Sequence, residues 1–353
     1  MPRIMSRTIK HRPMRRIKQR INLQTKHPPA TNNRKHKTFL FQEYLFVPVV
    51  LFSALFIIVI FPTTGFCWGP MSHIDLATEV LNFSQLLAPQ VMELIRSYPY
   101  DFLYGNIGAD IVIGKNFTKY EYHCHNWLVG NQVFESAKNE HQRAFAYGYI
   151  SHLASDVIAH NYFVPNMIIT MYRKKMFLHS YWEIRFDRLV NDKAVKTIER
   201  TLKLRHKDDN DLLKHTLEKT LFSFSTNKNI FNSVMQVNKR KLLRNLFKGL
   251  TSEKKWLFSI DQFDTYKHYS IDAIFDVLNK GNESIYTQFD PTGIEVIHIA
   301  SQVRKELNRL HRKQKLSEHD MQNITHSILP EFPPGLYSEY APAVHQKSGR
   351  SEG

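Results

Sequence analysis

From Trp68 onward the apolar positions recur at helical spacing, and no run alternates with the two-residue period of a strand. Ile74, Ala77 and Leu81 share one face of a short helix after Gly69-Pro70, and a second helix spans Leu86 to Tyr98, with Pro89 near its first turn. Long patterns follow over Ala137 to His160, with Gly148 tolerated inside, and over Asn166 to Val190. Lys193 to Arg205 adds one more, and Lys207 to Asn210 reads as a polar break. Helices resume at Leu212 to Leu221, Ile230 to Leu250, Ser270 to Leu278 and Gly293 to Leu310. After Pro330 the Pro/Gly-rich stretch and polar tail to Gly353 read as irregular. The expected class is all-α.

The first 67 residues follow a different pattern. Residues 1–43 have little apolar periodicity and carry basic clusters at Arg15-Arg16 and Arg34-Lys35, as expected of a disordered arm. Tyr44 to Phe61 is an 18-residue run without a charge, followed by Pro62-Thr63-Thr64-Gly65-Phe66-Cys67. A basic flank, an apolar core and a small polar exit are the parts of an export signal, and the run is also long enough for a short membrane anchor. On either reading residues 68–353 lie outside the cytoplasm, secreted or membrane-anchored. The organisation expected is a basic arm (1–43), a hydrophobic signal or anchor (44–67), a catalytic-type domain (68–205), a helical extension (206–330) and a tail (331–353).

Charge changes meaning once it is divided along the chain. The 353 residues carry a formal net charge of +16. Residues 1–67 hold 12 Lys/Arg and one acid, Glu43, which leaves 36 basic and 31 acidic side chains, a net +5, for the rest. The body is therefore only mildly cationic, which suits an anionic surface without demanding nucleic acid. With 42% hydrophobic residues the chain can bury a core, and with only Cys67 and Cys124 it is no disulfide scaffold.

The chemistry concentrates between His152 and Glu183. His152, Asp156 and His160 are spaced by four, which on a helix puts them on one face over two turns. Nineteen residues later His179 and Glu183 repeat that spacing on what should be a neighbouring helix. Facing imidazoles and carboxylates build metal sites in helical bundles, and this donor set suits zinc. The apolar neighbours Ile150, Leu153, Val157 and Ile158 imply burial, which is costly for such groups unless they are paired or metallated. Further candidates are His73, Asp110 in a loop, and His123-Cys124-His125, with two imidazoles on one extended face and Cys124 pointing the other way.

The order Trp68, His73, Asp110, His125, His152, Asp156, His160, His179, Glu183 resembles the zinc-dependent phospholipase C family, an all-helical bundle shared more distantly with P1-type nucleases. Pro70-Met71-Ser72-His73-Ile74, with Asp156-Val157 and His160, is closest in motif style to the N-terminal catalytic domain of glycosylphosphatidylinositol-specific phospholipase D. The resemblance implies two or three zinc ions. One would be held by Trp68 (through a free N-terminal amine and its carbonyl), His73 and Asp156; one by Asp110, His125, His152 and a bridging Asp156; and one by His160, His179 and Glu183. His125 is preferred to His123 because His-Asn-Trp matches the family's His-aromatic context.

The implied function is hydrolysis of phosphodiester bonds in phospholipids or glycosylphosphatidylinositols by zinc-activated water, with Asp110 orienting the nucleophile or acting as general base. A phospholipid or membrane surface is the expected partner, and nucleic acid is disfavoured. The rival readings are a secreted P1-like single-strand nuclease and a non-catalytic, zinc-stabilised exported or membrane-attached domain. Tyr162, Phe163, Tyr172, Trp127 and Trp182 would line a lipid entrance or pack between helices. Lys239-Arg240-Lys241 and Arg244 read as a solvated helix face.

Overall fold

The computed structural model describes residues 68–112, 123–173, 186–187, 189–190, 192–217, 223–238, 260–313 and 317–328. The 1–67 leader, His179, Trp182, Glu183, the basic stretch at 239–244 and the tail after Pro330 lie outside the described residues. Among the described residues the protein is all helix, with no strand, as the periodicity predicts and consistent with the phospholipase C/P1 nuclease fold. The helices are α1 (Pro70–Asn82), α2 (Pro89–Ser97), α3 (Pro99–Gly105), α4 (Trp127–Glu135), α5 (Glu140–Ile158), α6 (Val164–Thr170), α7 (Asp192–Lys203), α8 (Lys207–Thr216), α9 (Phe224–Asn238), α10 (Ile260–Lys280), α11 (Ile294–Arg312) and α12 (Glu318–Ser327). Among these helices none is long and apolar enough to cross a membrane.

α5 is the axis of the bundle. Between Ala144 and Ile158 only Tyr147 and Ile150 reach even partial exposure, so the helix is apolar nearly all round and must be enclosed. α3, α4, α8 and α10 enclose it. Asn139 starts α5 by accepting from the Gln142 backbone N–H at 2.9 Å, a cap on the order of 1 kcal/mol. The fit of α3 against α5 depends on two glycines. A Cβ on Gly148 would stand 2.0 Å from the Phe102 carbonyl oxygen, and one on Gly105 would stand 2.0 Å from that of Phe145. Without side chains at the crossing the two backbones touch, and the turn after α3 is laid directly on α5.

Several elements differ from the sequence reading. The supposed break at Lys207–Asn210 is the first turn of α8, where Asp208 and Asp209 sit favourably at the positive end of the helix dipole. The short α3 and α4 and the terminal α12, the last opened by a Ser317–Asp320 capping box, went unread. The pattern through His160 is not one α-helix: α5 gives way to a π-turn over Ala159–Phe163, and α6 then ends at Thr170. Helix α10 lies within the expected C-terminal extension yet packs along α5 and α1 as part of the core.

Candidate metal centre

Five side chains predicted from the sequence converge beside the middle of α5. His152 and Asp156 come from successive turns of that helix, His73 from α1, Asp110 from the 3₁₀ turn Ala109–Ile111, and His125 from the bend before α4. All five are 1% exposed or less. The Asp156 carboxylate lies 3.2 Å from His152 Nε2, 3.4 Å from His73 Nε2 and 3.6 Å from His125 Nε2. His125 Nε2 is also 3.2 Å from Asp110 Oδ1 and 3.0 Å from His152 Nε2. A tetrahedral ion with bonds of about 2.0–2.1 Å spaces its ligands about 3.3 Å apart. The observed separations of 3.0–3.6 Å are consistent with the edges of such a polyhedron.

The hydrogen bonds on the far side of each ring decide which nitrogen faces inward. His152 Nδ1 lies 2.8 Å from the Asn106 carbonyl, which can only accept, so Nδ1 carries the proton. Ser155 spends its hydroxyl proton on the His152 carbonyl, so at 3.1 Å it must accept from His73 Nδ1. In their neutral forms both rings thus aim the Nε2 lone pair at Asp156. Three lone-pair donors meeting in a dry interior repel one another unless a cation lies between them, and neither Asp156 oxygen receives a well-aligned hydrogen bond. Burial pushes the Asp156 carboxyl up, but positive charge on His152 and His160 when those rings are protonated, or on an ion in their place, outweighs it and holds the group well below the usual carboxylate range. This donor set fits zinc, with the ring orientations fixed as metal-binding histidines require.

The remaining predicted residues are placed differently. His160 sits in the π-turn, with Nδ1 on the Pro291 carbonyl, which can only accept, so Nδ1 carries the proton; its expected companions His179 and Glu183 lie outside the described residues. Gly293, at φ +54°, closes against His160, where a Cβ would stand 2.5 Å from the His160 carbonyl oxygen. Trp68 is fully buried: its indole N–H donates to the Ser155 carbonyl at 3.0 Å, and its ring lies against Phe163 and Phe186. His123 turns its Nδ1 to the His125 backbone N–H at 3.2 Å rather than into the cluster. Cys124 does not point away as an extended strand would have it, because the chain bends there and brings its Sγ 3.2 Å from His125 Nδ1. Tyr162, Phe163 and Tyr172 are buried, whereas Trp127 is only partly so, its indole N–H donating to the Phe289 carbonyl at 2.9 Å.

Some residues that shape the site were missed. Asp187 accepts from the Ser72 backbone N–H at 2.9 Å and from the Ser72 hydroxyl, and so caps the helix that presents His73. A Cβ on Gly69 would collide with that carboxylate at 2.0 Å, which explains the glycine ahead of Pro70. Asn106 and Pro291 act through backbone carbonyls, for which side-chain identity gives no signal.

Residues 72–231 match the family model for zinc dependent phospholipase C. This region is a zinc-dependent phospholipase C-like domain. It contains every member of the buried cluster, and with it the fold and donor set of a zinc-binding hydrolase. The match runs beyond the expected boundary at residue 205, through α8 and into α9. No curated protein and no solved structure matches the chain.

Proposed function

We propose that this protein hydrolyses phosphodiester bonds in phospholipids or glycosylphosphatidylinositols at a membrane surface. The observation that carries this reading is the convergence of His73, Asp110, His125, His152 and Asp156 inside a domain of this family. Two or three zinc ions would be held by these residues together with Trp68, His160, His179 and Glu183. When bound, zinc supplies positive charge to the phosphoryl oxygens and makes a water acidic enough to act near neutral pH. Asp156 would bridge two ions, since its two oxygens face different imidazoles. Asp110 is held on a buried turn with Oδ1 3.2 Å from His125 Nε2, and in this reading it would orient the attacking water and accept its proton.

Asp110→Asn keeps the volume and one coordinating oxygen but removes the charge and the proton acceptor. Turnover on mixed micelles of phosphatidylcholine or phosphatidylinositol is expected to fall by ~10²–10⁴, with zinc content and unfolding temperature close to wild type. The check is initial rates of full-length, zinc-loaded protein, with product analysis separating diacylglycerol from phosphatidic acid and single-stranded DNA run in parallel. Cleavage of DNA alone would overturn the lipid reading, and unchanged turnover would remove Asp110 from the mechanism.

We further propose that the chain is exported and cleaved ahead of Trp68. The charge-free run at 44–61 and its small polar exit support this. So does the position of Trp68, whose indole N–H donates to the carbonyl of Ser155, the residue before Asp156. N-terminal sequencing of protein made in its own host is expected to begin at Trp68. A start near Met1 in the membrane fraction would replace this with an uncleaved anchor and remove the amine ligand.

A further inference from the structure

A second group of donors lies at the junction of α3, α7 and α8, apart from the cluster on α5. His206 precedes α8 and is buried; Asp209 sits in the first turn of α8 at 1% exposure; Asp101 comes from α3. His206 Nδ1 is 3.2 Å from Asp209 Oδ2 and 3.5 Å from Asp101 Oδ1. The far nitrogen, Nε2, lies 2.8 Å from the Thr201 carbonyl and must carry a proton there, so in the neutral ring the Nδ1 lone pair faces two carboxylates. Asp209 Oδ1 has no hydrogen-bond partner although the residue is buried.

We propose that Asp101, His206 and Asp209 hold a structural zinc ion that fastens α3 to α8. Charge balance is met by a divalent ion or by two protons. A proton on Nδ1 alone makes an imidazolium between two carboxylates and leaves a surplus negative charge, which a second proton on a carboxylate would have to remove. Zinc with two carboxylates and a neutral imidazole leaves none. The separations of 3.2 and 3.5 Å match the roughly 3.3 Å edge of a tetrahedron with bonds of about 2.0–2.1 Å. The surroundings hold each donor in place: Thr201 fixes the tautomer, the Tyr104 ring stacks on His206 at 3.9 Å, and His141 Nδ1 sits 2.9 Å from the outer oxygen of Asp101. Lys228 is engaged with Asn210 at 2.9 Å, so beside the imidazole of His141 no lysine or arginine is shown on either carboxylate among the described residues. The Asp101 side chain keeps 16% exposure, which gives an ion a route in and water a fourth position.

The consequence is mechanical. α3 ends at Gly105 and leads into Asn106 and Asp110, so an ion at its outer face holds the support of the other cluster from behind. The test is the zinc content of full-length wild type, His206→Gln and Asp101→Asn after equilibration with zinc and removal of loose metal. Each variant is expected to lose one equivalent relative to wild type while keeping the helical circular dichroism. Should a variant fail to fold, anomalous scattering at the zinc edge from wild-type crystals decides, with a peak expected among Asp101, His206 and Asp209. Folded variants with an unchanged zinc count, or a map with no peak there, would overturn the proposal. Because these residues are separate from Asp156, a loss of metal confined to Asp156→Asn would count against this site alone.

Discussion

Asp156→Asn is expected to strip zinc from the α5 cluster and cut hydrolysis by three orders of magnitude or more, the largest single effect in this protein. The substitution changes no volume, so packing in the fully buried surroundings is preserved. What it removes is the negative charge that three imidazoles face within 3.6 Å. Zinc bound to the folded state alone stabilises it by about 3–4 kcal/mol per site at free metal 100–1,000 times the dissociation constant. For a chain of this size each kcal/mol is worth roughly 2–4 °C, so wild type should gain on the order of 10 °C on zinc addition. The variant should lose most of that gain and at least one equivalent of metal by plasma emission analysis. On the proposed function, the loss in rate follows from removing the several kcal/mol that metal charge would contribute at a phosphoryl group. A variant that kept its full zinc complement and zinc-dependent stabilisation would show that Asp156 is an ordinary ion-paired carboxylate.

The legible part of this site was the part written in helix periodicity. His152 and Asp156 stand four apart on a helix that the apolar residues around them already declared buried, so their joint projection followed from geometry alone. Asp110, His125 and His73 come from a turn, a bend and another helix. Nothing in spacing brings them together, and only the order of residues typical of a family suggested it. The hydrogen-bond acceptors that set the ring tautomers were unreadable for a stronger reason: Asn106 and Pro291 contribute carbonyl oxygens that every residue has. His160 shows the limit of a regular ruler, since the π-turn widens the helix where an i,i+4 count assumes constant pitch. At Lys207–Asn210 polarity alone reads as a loop. The acids there instead start α8, and one of them, Asp209, is buried because its partners Asp101 and His206 wait behind it.

Gly148 looked like a tolerated defect in a long helix, and by helix propensity alone Gly148→Ala would add up to about 1 kcal/mol of stability. The structure reverses that sign. The new methyl would lie 2.0 Å from the Phe102 carbonyl oxygen and 2.9 Å from Gly105 Cα, and both are backbone atoms that cannot swing aside. Helix α3 must move away from α5, at the upper end of the 1–3 kcal/mol typical of overpacked cores, or about 5–10 °C in unfolding temperature. The movement also reaches the metal. Asn106 follows Gly105 directly and holds His152 Nδ1 at 2.8 Å, and Asp110 lies one turn further on. Loosening that support should weaken zinc binding by ~10–100-fold, the range seen when partners of metal ligands are removed. Gly130→Ala is the matched comparison, because its methyl would meet only the side-chain ends of Leu153 at 2.6 Å and Ile150 at 3.2 Å, which can rotate. Thermal unfolding with and without zinc, together with competition against a chromogenic chelator, measures both effects. If Gly148→Ala matched Gly130→Ala in stability and in zinc affinity, the glycine crossing would not be what positions the cluster.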